Sequence, residues 1–162
     1  MSRAVLLLGS NVGDRWQNLA NAINSIEALF GEAEGISMVY ETQAWGNTQQ
    51  GPFLNLALIA EVFDDPFTLL EKLLRIETNM GRIRAKQWEP RIIDIDILFF
   101  DDMLVNEEEL VVPHPHLAER RFTLKPLCDL LPNFRHPLLQ KTMTELLEIC
   151  PDQLAVNKIE IG

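Results

Sequence analysis

The stretch Ile92-Ile93-Asp94-Ile95-Asp96-Ile97-Leu98-Phe99 constrains this chain more than any other. Its β-branched and apolar residues read as a buried strand, yet it carries two acids two positions apart. Residues i and i+2 of a strand share a face, roughly 7 Å apart along it. Carboxylates placed side by side among apolar residues repel each other and resist desolvation, and the ordinary remedy is a cation between them. Just upstream, Arg82, Arg84, Lys86 and Arg91 flank Trp88 in a basic loop. A hard divalent ion such as Mg²⁺ takes carboxylate oxygens together with substrate phosphates, and guanidinium groups suit phosphates. The segment predicts a magnesium–nucleotide site with Asp94 and Asp96 as metal ligands. A solvated strand end, the bland alternative, fits Asp101-Asp102 better, because that pair follows the apolar run instead of interrupting it.

Length and charge narrow the setting. The 162 residues are read as one domain, 1–162, long enough to bury a core. With 24 acids against 14 bases the net charge is −10, which argues against a general nucleic-acid binder. A basic loop on an acidic body points instead to a small anionic ligand. Cys128 and Cys150 lack zinc-site spacing and are too few for a disulfide framework, so free thiols are expected. The apolar run Ala4 to Leu8 is too short for a signal peptide, and no stretch approaches a membrane span. The expected location is cytoplasmic.

In chain order, Ala4 to Leu8 reads as a central strand and Gly9-Ser10-Asn11-Val12-Gly13 as the turn out of it. A helix follows, with Asp14 as N-cap, Gln17 placed for a capping box, Leu19, Ala22, Ile23, Ile26, Leu29 and Phe30 on its core face, and Gly31 as its stop. Ile36, Met38 and Tyr40 alternate with Ser37, Val39 and Glu41, as in a strand covered on one face. Thr42 to Pro52 is a loop long enough to lie over a ligand. Phe53 to Val62 is a strand, with Phe53 and Asn55 on one face. Asp65 and Pro66 start a second helix that Gly81 ends; Glu77 in its last turn opposes the helix dipole, so a nearby cation, a ligand or a surface pairing with Arg82 is expected. After the acid-bearing strand, Met103-Leu104-Val105 reads as its hairpin partner and Glu107-Glu108-Glu109 as a solvated turn. Leu117 to Leu131 looks helical but interrupted near Pro126, Thr142 and Glu145 form a capping box, and an edge strand or tail closes the chain. His116 and His136 read as surface residues. The order strand, helix, strand, strand, helix, strand predicts an α+β fold: a ferredoxin-like βαββαβ sheet with two helices on one face, plus a C-terminal helical and irregular extension.

Trp88-x-Pro90-Arg91-x-x-Asp94-x-Asp96, the segment Val112-Pro113-His114-Pro115, and Arg120-Arg121-Phe122 occur together. In these residues, and over most of its length, the chain resembles the 6-hydroxymethyl-7,8-dihydropterin pyrophosphokinases of folate biosynthesis. The resemblance implies transfer of the pyrophosphoryl group of ATP to the pterin hydroxymethyl group, release of AMP, and two Mg²⁺ ions on Asp94 and Asp96. It implies a catalytic assembly of Arg82, Arg91, Asp94, Asp96 and Arg120. The nucleotide would meet Glu77, Arg82, Arg84, Trp88, Arg91, Ile97 and His114, the histidine binding phosphate rather than acting as a base. The pterin would meet Thr42, Ala44, Trp45, Phe53, Asn55, Trp88, Asp94 and Phe122, with the two phenylalanines as stacking faces and Asn55 as edge reader. Other folate-pathway enzymes are the expected partners beyond the small-molecule substrates; neither nucleic acid nor membrane is. The chain departs from the family pattern at Gln87 and Glu89, where basic and glycine residues are common, and at Leu74 and Glu109, where some members carry nucleotide contacts. A different class, a non-catalytic ferredoxin-like module sensing a nucleotide or pterin, would not need the Asp94/Asp96 pair.

Overall fold

A computed structural model describes residues 1–42, 51–81 and 91–160. The chain runs through β1 (Ser2–Ser10), α1 (Arg15–Phe30), β2 (Gly35–Ile36), β3 (Val39–Thr42), β4 (Phe53–Val62), α2 (Pro66–Asn79) and β5 (Asp94–Phe100). It continues through β6 (Val105–Asn106), β7 (Val111–Val112), a 3-10 turn at Leu117–Glu119, α3 (Arg121–Leu130), α4 (Met143–Glu148) and β8 (Asn157–Ile159). Up to β5 this is the expected βαββαβ order, with the second strand broken into β2 and β3. The main sheet is ordered β5-β1-β4-β3-β8, with β2 also on β4, and these pairings are antiparallel.

The central strand explains its own sequence. Leu6 and Leu8 of β1 pack with Leu19 and Ile26 of α1 and Leu69 and Leu73 of α2, while Val5 and Leu7 pack with Leu124 and Leu127 of α3 and Met143 and Leu146 of α4. A strand covered on both faces reads as an unbroken apolar run rather than an alternating one. The C-terminal extension is therefore a third layer, on the side of the sheet opposite α1 and α2. As expected, Asp14 caps α1 by accepting from the Gln17 backbone N–H, Thr142 and Glu145 form a complete capping box on α4, and β8 is an edge strand on β3.

Several expectations change. The Gln17 side chain donates to Asn21 Oδ1 at 2.8 Å instead of closing a capping box, and Leu29 is exposed. Ile36 and Met38 are exposed whereas Ser37 is buried. The ladder breaks there, and the Ser37 hydroxyl accepts from the Ala57 N–H at 2.8 Å while donating to the Met38 carbonyl at 2.7 Å. A polar side chain that satisfies backbone groups at a break belongs inside. Pro126 does not interrupt α3, whose Phe122, Leu124 and Leu127 hold it against the sheet. Val105 pairs with Val112 in a separate ribbon, not with β5.

His136, expected on the surface, is 4% exposed. Its Nδ1 accepts from the N–H groups of Leu138 (3.1 Å) and Leu139 (3.0 Å), and its ring meets Phe99 edge-on. Protonation would turn that acceptor into a donor. Burial lowers its pKa from the ordinary 6.5. Below 6.5 the unfolded chain therefore binds the proton more readily than the folded one, and stability falls as the pH drops. Thermal unfolding at pH 7.5 and pH 5.5 is expected to show a larger loss of Tm for the wild type than for His136→Asn; equal losses would remove this histidine as the cause.

Candidate active site

The site lies at one end of the sheet, where β1 finishes and β4 and β5 begin. Gly9 pairs with Asn55 on one side and Asp94 on the other, and Leu7 pairs with Asp96. Directly opposed residues share a face, and this is the face that carries Leu7, Ala57 and Leu98 towards α3 and α4. Asp94, Asp96, Asn55 and Phe53 thus stand together beyond the apolar contact with the C-terminal layer. The register slips between Val5 and Leu6, leaving Leu98 without an opposite number on β1. The Leu98 carbonyl instead accepts the His114 N–H at 3.0 Å, so the irregularity fixes the histidine beside the acidic pair.

Asp94 accepts a hydrogen bond from Arg91 Nη1 at 2.9 Å. Asp96 has its carboxyl pushed up to about 8, first by desolvation and then by the charges of Asp94 and Glu77, with Arg120 and Arg91 acting the other way. Glu77 is 1% exposed and accepts from the Ile95 N–H at 2.6 Å, the peptide between the two aspartates. It is buried and not on the surface; it binds α2 to β5 and adds negative potential, and Arg82 lies outside the described residues. Among the described residues no three ligating side chains form a metal cage. A desolvated carboxylate beside a second one is nevertheless a donor set that fits Mg²⁺, which keeps waters and takes phosphate oxygens in place of a full protein shell.

Cations and rings complete the wall. Arg120 enters from the residue before α3, and burial lowers its pKa against the opposing pull of Asp96 and Asp94; a guanidinium there stays charged. Its Cζ is 5.6 Å from the centroid of the Phe122 ring in the first turn of α3. His114 Nδ1 accepts from the His116 N–H at 3.2 Å, which leaves the proton of a neutral ring on Nε2. Burial first, then Arg120, pushes its pKa down to about 4. It is therefore a neutral hydrogen-bond donor at pH 7, suited to a phosphate oxygen and unsuited to carrying positive charge.

Two expected residues have buried side chains. Ile97 is 4% exposed in the core with α1 and α2, on the face opposite Asp96, because strand side chains alternate. Thr42 is buried and donates its hydroxyl to the Ala155 carbonyl at 3.0 Å, a bond to the C-terminal segment. Ala44, Trp45, Arg82, Arg84 and Trp88, with Gln87 and Glu89, lie outside the described residues. Asn11, read only as a turn residue, is buried: its Oδ1 accepts from the Arg91 N–H at 2.6 Å and its Nδ2 donates to the Gly51 carbonyl at 3.3 Å. It positions the backbone from which Arg91 reaches Asp94. A short amide beside a glycine in a turn gives no sequence signal for such long-range bonds.

Residues 5–132 match the family described as 7,8-dihydro-6-hydroxymethylpterin-pyrophosphokinase, HPPK. The chain belongs to this family. Among its HPPK relatives is the 2-amino-4-hydroxy-6-hydroxymethyldihydropteridine pyrophosphokinase of Aquifex aeolicus, 44% identical over 145 residues that cover 90% of each chain. The enzyme of the same name from Methylorubrum extorquens is 42% identical, over 82% of this chain and 85% of the relative. The folic acid synthesis protein FOL1 of Dictyostelium discoideum is 36% identical over 87% of this chain but only 21% of its own length. A Plasmodium falciparum HPPK-DHPS crystal structure superposes with a TM-score of 0.73 at 19% identity over 91% of this chain, which spans 43% of that longer protein. The HPPK chain is thus a pyrophosphokinase, and the sensing module is set aside. No helix among the described residues is long and apolar enough to cross a membrane.

Proposed function

We propose that this HPPK transfers the pyrophosphoryl group of ATP to the hydroxymethyl oxygen of 6-hydroxymethyl-7,8-dihydropterin, with Asp94 and Asp96 holding two Mg²⁺ ions. The hydroxymethyl oxygen attacks the β-phosphorus, the bond from that phosphorus to the α,β-bridging oxygen breaks, and AMP leaves with the electron pair. The hydroxyl proton passes to water or to the Asp94 carboxylate. When bound, the metal supplies charge neutralisation for an in-line displacement. What the chain supplies is position and field. Arg91 and Arg120 bring positive charge to the phosphates, and His114 donates through Nε2–H. Phe53 and Phe122 offer ring faces, worth roughly 0.5–1.5 kcal/mol per aromatic pair beyond buried area. Asn55 reads the pterin edge, and the backbone at Thr42 and Ala44 lies close to it. Arg82 and Arg84 join the phosphate contacts, while Trp45 and Trp88 close over the ligands and exclude water.

The observation that supports this reading best is the desolvated Asp94/Asp96 pair facing Arg120 and His114 on one side of the sheet. The presence of the HPPK unit within longer folate-synthesis relatives supports association with neighbouring enzymes of that pathway. Separation of the nucleotide products tests the reaction. AMP is expected, in equal amount to pyrophosphorylated pterin, only when ATP, pterin and Mg²⁺ are all present. ADP as the product, or AMP formed without pterin, would overturn the assignment.

A further inference from the structure

Gly9 stands inside β1, where glycine is a poor strand residue unless a ligand or another group approaches closely. Its backbone does not demand glycine: the positive-φ glycines among the described residues are Gly13, Gly31 and Gly81. Space does. A Cβ on Gly9 would lie 2.5 Å from Asn55 Oδ1 and 3.6 Å from Asn55 Cγ, with Phe53 Cδ1 at 3.5 Å. The Asn55 amide has thus laid itself into the volume a side chain at position 9 would fill. On the other side Gly9 pairs with Asp94. Across adjacent strands about 4.8 Å apart, the row Asn55, Gly9, Asp94 sets the amide, lying over the Gly9 backbone, on one side and the Asp94 carboxylate on the other. Asn55 is 4% exposed, and its Nδ2 has no hydrogen-bond partner among the described residues. A buried amide donor left unmade is costly, so this group points to a ligand acceptor.

We infer that Gly9 is a specificity-determining positioning residue: its missing side chain lets the Asn55 amide lie across β1 and aims the free Nδ2 at the edge of a flat heterocycle seated between Asn55 and Asp94. This rests on the reading of Asn55 as the pterin-edge contact. An alanine at position 9 keeps the backbone but pushes the amide out of line, and a site built to hydrogen-bond discriminates sharply against a mismatched edge.

Gly9→Ala, Asn55→Ala and the double variant of the full chain test the inference through KM for the pterin, KM for ATP, kcat and thermal unfolding. Gly9→Ala is expected to raise the pterin KM by about tenfold or more while the ATP KM stays within about twofold. In the Asn55→Ala background the clash has gone, so Gly9→Ala should add less than about twofold. A raised pterin KM for Asn55→Ala alone, with Gly9→Ala unchanged, would overturn the role of Gly9 and leave the site standing. An unchanged KM for Asn55→Ala would remove the edge contact itself, and this inference with it. Additive losses in the double variant would reduce Gly9 to a folding requirement. Should Gly9→Ala fail to fold, the double variant decides: a folded double variant supports the clash with Asn55, and an unfolded one overturns it.

Discussion

Asp96→Asn is expected to lower AMP formation by about three orders of magnitude, some 4 kcal/mol of transition-state stabilisation, without weakening the fold. The two halves of this expectation have one cause. The Asp96 carboxylate is held in a desolvated corner against the charges of Asp94 and Glu77, which is why its pKa is raised. The folded, metal-free protein therefore resists the ionised form, and an amide of nearly the same shape relieves that strain. A gain of about 1 kcal/mol would raise Tm by about 2–4 °C in a chain of this size. The same amide cannot supply a carboxylate to Mg²⁺, and asparagine is a weaker ligand for a hard cation. Turnover with ATP, pterin and Mg²⁺, alongside thermal unfolding in a chelator, reads both. Near-normal turnover would remove Asp96 from metal binding, and a fall in Tm would show that the pair is already balanced by its arginines.

Arg120 is expected to behave in the opposite sense. It faces Asp96 and Asp94 from the far wall, so Arg120→Ala should lose both activity and stability, with kcat/KM down by about a hundredfold. Arg120→Lys separates charge from shape. An ammonium keeps the sign of the field and recovers stability, but it lacks the planar fork that meets two phosphate oxygens at once and packs against the Phe122 ring. Arg120→Lys should therefore remain at least about tenfold impaired in kcat/KM while its Tm returns towards that of the wild type. Steady-state kinetics and thermal unfolding on both variants check this. Full rescue by lysine would make the residue a counter-charge and nothing more.

The sheet was legible because its strands are either continuous apolar runs or sharply bounded by turns. Phe53–Val62 is observed with the bounds expected of it, and β1 declares its double coverage by lacking any alternation. The Asp-x-Asp pair was legible for the converse reason: charge inside such a run needs an explanation that charge at its end does not. What escaped was polar burial that depends on particular backbone groups, near or distant in sequence. Ser37 goes inside to bond Ala57, His136 to receive two N–H groups of its own turn, and Glu77 to hold Ile95. None of these bonds follows from periodicity, because the partner is fixed by the path of the chain and not by spacing. Ile97 gives its side chain to the core with α1 and α2, because alternation carries it to the face away from Asp96.

Helices α3 and α4 roof the middle of one sheet face and stop short of the end where Asn55, Gly9 and Asp94 stand. Among the described residues, the Asn55 amide nitrogen there is buried and has no hydrogen-bond partner. Under the proposed function, a substrate arriving there would complete a layer of the protein with foreign atoms, making recognition in part the last act of packing.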